Sequence, residues 1–191
     1  MVERCTMPDS KLRQVFRKYK IENFPYPLYY CLPYGLRFEI GREVEGAKAL
    51  ARAEEIFAAT FAKNHELLVI FETKIDEKLS KALSSFEKSA FPVEKYDSET
   101  GELEVYTRTV YALPCHKVPH TLLLDAILRK EEYSSKVYFA DAENGMMMML
   151  YDSRGLDVTA PNPQLLVPIY KEKKHLLSLI DLPQMKLQFE D

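Results

Sequence analysis

Asp152, Arg154 and Asp157 fall within six positions around Gly155 in "YDSRGLDVTA" (151–160), straight after the apolar run "MMMML". Far upstream, Arg37 and Glu39 alternate with Leu36, Phe38 and Ile40 in "LRFEIG" (36–41), which places both charges on one face of a strand. Carboxylates and guanidinium groups at these spacings form a polar recognition site if the fold joins them. They hold a divalent metal if further acidic groups converge. A plainer reading competes for the first segment. Aspartate opening and glycine closing a four-residue turn is hairpin chemistry, in which the carboxylate accepts a backbone N–H two residues on. "DSETG" and "DAENG" have the same form. Asp152 and Gly155 are explained by the turn, with glycine expected in a left-handed conformation. Arg154 and Asp157 are left over, so their replacement by alanine is expected to leave stability nearly unchanged.

Other chemistry-bearing spacings are weaker. "FETK" (71–74) has the form of the E-x-K half of a metal-dependent nuclease, where a carboxylate holds the ion and a lysine helps activate water. With Glu39, Glu72, Asp152 and Asp157 as ligands it defines a hydrolase or nuclease alternative, although a solvated strand end explains it more simply. "CHKVPH" puts Cys115, His116 and His120 within six residues, but a closed zinc site usually takes four ligands and the remaining Cys and His are scattered. A polar loop entering a helix accounts for it. Phosphate-cradling loops need clustered glycines. Only six glycines occur, and "GREVEG" carries Ala47 where a P-loop requires lysine. Neither a G-x-S-x-G elbow nor an H-E-x-x-H helix is found.

The elements that must position these residues follow from periodicity. Leu12, Val15, Phe16 and Tyr19 mark a first helix opposite Lys11, Arg13, Arg17, Lys18 and Lys20. This helix is expected at the periphery (1–22), with its basic face solvated and residues 1–8 dispensable. The proline-rich "NFPYPLYYCLPYG" is expected to be non-helical. Strands are expected at 36–41 and 67–74, in "FPVEKY" and "ELEVYTRTVYAL" joined across "DSETG", and in a meander from Lys136 to Ala160. Helices are expected at 45–62, 76–86, around "HTLLLDAILRKEE", and from Pro163 to Leu179 before a tail. Met146–Met149 alternates apolar groups onto both faces of its strand, which marks a central strand covered on both sides. The fold class is therefore α+β. It is a mostly antiparallel, in part mixed, sheet of six or seven strands with helices packed on it, in one domain over 1–191.

At 47% hydrophobic and 29% charged, with 12 Tyr and 10 Phe, the chain can build a core. A net charge of -3 gives no general reason to expect nucleic acid or an anionic membrane, despite six Lys/Arg against two Asp/Glu in residues 1–20. The longest uncharged stretch, Asn23 to Leu36, is broken by prolines and too short for the ~20 apolar residues of a span. An odd three cysteines and the lack of an apolar leader point to a reducing, cytoplasmic location.

"LPYGLRFEIG" (32–41) and "HTLLLDAILRKEEYSSKVYFADAENGMMMMLYDSRGLDVTA" (120–160) resemble a bacterial family of DUF3885-type domains, whose function is unknown. The family pairs an LP-x-G-[IL]-RFE-[IL]-G strand with a later YD-x-RG-[ML]-D segment. Here these positions are Leu32, Pro33, Gly35–Gly41, Tyr151, Asp152, Arg154, Gly155, Leu156 and Asp157. The resemblance spans most of 28–172 and departs at the C-terminus, where "HLLSLIDLPQM" replaces an aromatic W-x-L-D-Y stretch. It implies a soluble bacterial protein and assigns no mechanism.

The sequence points away from an enzyme. Arg37, Glu39, Asp152, Arg154 and Asp157 are the expected binding residues, with no catalytic group, metal or cofactor assigned, and the partner expected is another protein. Bacterial immunity or antitoxin proteins offer one such case by analogy. Arg37 is expected to pair with a carboxylate, Asp152 or Asp157.

Overall fold

Apolar–polar alternation and turn chemistry produce seven strands: β1 (Gly35–Glu39), β2 (Glu66–Phe71), β3 (Glu87–Tyr96), β4 (Leu103–Pro114), β5 (Val137–Asp141), β6 (Met147–Asp152) and β7 (Gly155–Thr159). They form one sheet in the order β1-β7-β6-β5-β2-β4-β3. Every neighbouring pair is antiparallel, so nothing in the sheet is mixed. The computed structural model describes residues 10–41, 44, 46–62, 65–96, 103–130, 133 and 136–190. Its helices are α1 (Ser10–Tyr19), α2 (Leu28–Cys31), α3 (Ala47–Thr60), α4 (Glu77–Leu83), α5 (His120–Arg129), α6 (Val167–Glu172) and α7 (Leu182–Phe189). The fold is α+β, and β5–β6–β7 is the expected meander.

Both faces of the sheet are covered. On one, Leu36, Phe38, Val69, Phe139, Met148 and Leu156 pack with α3, α5 and the C-terminal helices. On the other, Leu68, Ile70, Tyr138, Met147 and Met149 pack beneath α1 and Phe24. β6 therefore lies in apolar surroundings on both sides, as its methionine run implies. Helix α1 is not peripheral, because Leu12, Val15, Phe16 and Tyr19 are all buried and close the second face. The apolar stripe that makes it amphipathic is the same stripe that the open sheet face needs. Its basic face is engaged too: Lys11 reaches Glu66 at 3.0 Å, and the Lys18 ammonium donates to the Glu143 carbonyl. Residues 1–8 lie outside the described residues.

Two stretches differ from expectation. A single helical turn, α2, fits between Pro27 and Pro33 in the segment expected to be non-helical. The helix expected over 163–179 is divided into a 3-10 turn (Pro163–Leu165), α6 and a second 3-10 turn (Lys174–Leu176), and α7 stands where a tail was expected. Prolines in the first turns of α6 and α7 start each helix afresh. Between them the chain leaves helical geometry to bond the sheet edge. The Ser178 N–H donates to the Arg37 carbonyl at 2.8 Å, and Leu177 bridges to Phe38.

Helix α4 begins as its sequence implies, with the Leu79 N–H donating to the Asp76 side chain at 2.8 Å. The "DAENG" turn also forms as expected. Asp141 Oδ1 accepts the N–H groups of Glu143 (2.7 Å) and Asn144 (3.1 Å), and Gly145 takes φ +78°. "DSETG" (97–101) lies outside the described residues.

Candidate functional site at the β1 edge

The five residues singled out in the sequence gather at one end of β1, β7 and β6. Antiparallel register sets Arg37 opposite Asp157 and Glu39 opposite Gly155. Directly opposed residues share a face, and here it is the α1 side. The Arg37 guanidinium donates through Nε to Asp157 Oδ1 at 2.8 Å and through Nη2 to Oδ2 at 3.0 Å. Asp157 is thus the carboxylate partner expected of Arg37. Its Oδ2 also accepts the Tyr29 N–H at 3.0 Å. Asp152 and Arg154 pair with each other at the hairpin tip, Arg154 Nε lying 2.9 Å from Asp152 Oδ2. The Asp152 Oδ1 accepts the Arg154 N–H at 2.7 Å, which is the aspartate turn read from the sequence. The tip docks on the end of β1, with the Gly41 N–H donating to the Arg154 carbonyl at 2.8 Å.

Around the guanidinium stand three tyrosines that sequence reasoning did not assign. Arg37 Cζ lies 4.5 Å from the Tyr30 ring centre, 4.7 Å from that of Tyr151 and 5.3 Å from that of Tyr29, distances at which a cation and a ring attract. The Tyr30 hydroxyl donates to Asp181 Oδ1 at 2.8 Å, tying α2 to the segment before α7. Beside this cage the surface turns apolar: Tyr26, Tyr30, Leu179 and Ile180 are 55%, 56%, 62% and 85% exposed. The density of tyrosines in "PYPLYYCLPY" was the available signal.

The electrostatics of this cluster follow from burial and from the pairing of its charges. Asp157 is fully buried with both oxygens engaged, so it is closed to a molecule arriving from solvent. Burial pushes its carboxyl up from the ordinary value, opposed by the Arg37 guanidinium and the Tyr29 N–H. Burial also pushes the Tyr29 hydroxyl up to about 12, helped by the negative charge of Asp181. Tyr151 rises for the same first reason, and Tyr30 rises chiefly through its hydrogen bond to Asp181.

Two expectations need correction. Asp157 is not a spare charge but the buried anchor of an ion pair, so its removal destabilises strongly. Gly155 does not take a left-handed conformation, since among described glycines only Gly46 and Gly145 have positive φ. It is required for space. A Cβ there would stand 2.4 Å from the Phe38 carbonyl oxygen and 1.9 Å from the Tyr151 hydroxyl.

A family model described as a domain of unknown function, DUF3885, matches residues 9–181. The chain belongs to this family. No curated protein and no solved structure matches the chain. In this DUF3885 domain the two segments that carried the resemblance, 32–41 and 151–157, are neighbours, because β1 lies against β7.

The carboxylates of the hydrolase alternative do not converge in this DUF3885 domain. Four inter-strand steps of about 4.8 Å separate β1 from β2, so Glu39 and Glu72 are far apart. Glu72 is held by Arg108, whose Nε donates to Oε1 at 2.9 Å, and by the Tyr106 hydroxyl at 3.1 Å. Cys115 is buried near the Phe61 carbonyl, whereas His120 stacks on the Phe57 ring at 5.0 Å. Among the described residues no group of three or more His, Cys, Asp or Glu is arranged to hold a metal ion. No described helix is long and apolar enough to cross a membrane.

Proposed function

We propose that this domain recognises another protein through the β1 edge, without catalysing a reaction. One observation carries the reading. The Tyr30 ring is 56% exposed, yet it is fixed at its hydroxyl by Asp181 and across its face by Arg37. Aromatic groups that are ordered before contact lose little entropy on binding, and Tyr and Arg are enriched among the residues that dominate interface energetics. Exposed Leu179 and Ile180 precede the Tyr30 partner Asp181 in the chain, exposed Tyr26 precedes α2, and the hairpin tip adds the 81% exposed Arg154. Neutralisation of a toxin by an immunity-type protein is one form such recognition takes.

A photo-crosslinking amino acid placed at Tyr30 or Ile180 in cells tests this, with Lys88 and Leu187 as remote controls. The expected result is a discrete adduct at Tyr30 and Ile180, lost on Arg154→Ala with the melting temperature unchanged. Adducts at the control positions alone would overturn the reading.

A further inference from the structure

The opposite edge of the sheet carries a separate recess. β2 pairs with β4 only over Thr109–Pro114, whereas β3 accompanies β4 from Leu103 to Ala112. Residues 103–108 therefore overhang, and a cavity of about 460 Å³ opens between the overhang, the β2–α4 loop and α4. That volume lies within the range of about 300–1,000 Å³ common to small-molecule sites. Thr109 and Tyr111, both buried, form its floor, and the Lys88 ammonium lies 5.8 Å from the Tyr111 ring centre. Ser80 and Thr107 bring further hydroxyl groups to its walls.

Charge decides what such a recess would hold. Among the described residues the one carboxylate lining it, Glu72, is neutralised by the buried Arg108 guanidinium and bonded by Tyr106. Lys74 and Lys88 have no carboxylate within ion-pair range among the described residues, and both line the cavity. The lining therefore combines two lysines without a carboxylate partner and the hydroxyl side chains of Ser80, Thr107 and Thr109. Lysine binds phosphate as a point charge, and neutral hydroxyls both donate to and accept from a polyol.

We propose that this recess binds a small phosphorylated polyol of the sugar-phosphate class, with Lys74 and Lys88 holding the phosphate and Ser80, Thr107 and Thr109 facing the hydroxyls. The site is independent of the Tyr30 surface, from which it is separated by the width of the sheet.

Amide-shift titration of the full chain with glucose 6-phosphate tests the proposal, with glucose and inorganic phosphate as parallel probes. The expected result is saturable shifts centred on residues 73–74 and 107–111. Inorganic phosphate should bind the same lysines more weakly, and glucose should produce little. The double variant Lys74→Gln/Lys88→Gln should weaken glucose 6-phosphate at least about tenfold, whereas Lys171→Gln on α6 should leave it unchanged. Both lysines are exposed, so the melting temperature of the double variant should match wild type and show that it folds. Absence of saturable shifts up to about 10 mM would overturn the proposal, because weaker binding than that is not a site. So would affinity unaffected by the double variant, equal loss in Lys171→Gln, or glucose binding as well as its phosphate.

Discussion

Arg37 and Arg108 are two solutions to one problem, a guanidinium enclosed by rings on the α1 side of the sheet. Arg37 is bound by Asp157 and surrounded by Tyr29, Tyr30 and Tyr151. Arg108 is bound by Glu72 and lies 5.6 Å and 5.2 Å from the ring centres of Phe16 and Phe24. The difference lies in what closes each site. Phenylalanines from α1 and the following loop seal Arg108 to 1% exposure, and Asn23 fills one more donor. Tyrosines cover Arg37, and one of them opens to solvent beside Leu179 and Ile180. The first pair fastens a helix to a sheet. The second organises a surface.

The largest expected effect separates the two pairs by their carboxylates. Asp157→Ala should cost about 3–5 kcal/mol in urea denaturation, because it strands a charge in a dry site. Glu72→Ala should cost more still, since the guanidinium it strands, that of Arg108, is 1% exposed where that of Arg37 is 13%. Equal costs would erase the distinction between the two edges. Gly155→Ala should follow at about 1–3 kcal/mol, the cost of forcing a methyl group against the Phe38 carbonyl and Tyr151. A neutral result would mean that β1 and β7 can move apart.

A third pair sharpens the comparison because it titrates. His65 Nδ1 lies 2.8 Å from Asp141 and Nε2 lies 3.6 Å from Glu143. The hydrogen bond to Asp141 raises its pKa above the ordinary 6.5. Folding therefore favours the protonated ring. That contribution is complete below 6.5 and fades as pH rises through the elevated value. Stability should fall by less than about 1 kcal/mol across that window, and His65→Gln should flatten the slope. A slope that persists in His65→Gln would place the titrating group elsewhere. Arg154→Ala, the smallest perturbation, should leave thermal unfolding where it is, since Arg154 is 81% exposed and the half-buried Asp152 still reaches water. Unfolding of this variant with unchanged binding per folded molecule would make the hairpin tip scaffold.

The β1 edge was partly legible because strand alternation is local information. Leu36, Phe38 and Ile40 announce which face is buried, and Arg37 and Asp157 then stand out as charges on neighbouring strands. The tyrosine cage was not legible. Tyr30 meets Asp181 across 151 positions, and that contact depends on a one-turn helix between prolines and on a C-terminal path that leaves helical geometry to bond β1. Neither has a periodicity. Arg108 was legible in principle, because it alternates with Tyr106 and Val110 on the face that α1 covers. That reading required α1 to be recognised as a lid over the sheet, and amphipathicity alone does not say whether a helix has a sheet beneath it.

The methionines of β6 lend the molecule an internal clock. Met147, Met148 and Met149 are each fully buried in the middle of the sheet, and Met146 is 5% exposed. A thioether is oxidised only where peroxide can reach the sulfur, and conversion to the sulfoxide replaces an apolar group by a polar one. With both faces of β6 covered, the oxidant gains access only when the sheet itself separates. The rate of oxygen uptake at these positions, read by mass, therefore counts rare global openings rather than surface fluctuations. Each opening that is captured leaves a permanent mark, because the sulfoxide reverts only through a reductase.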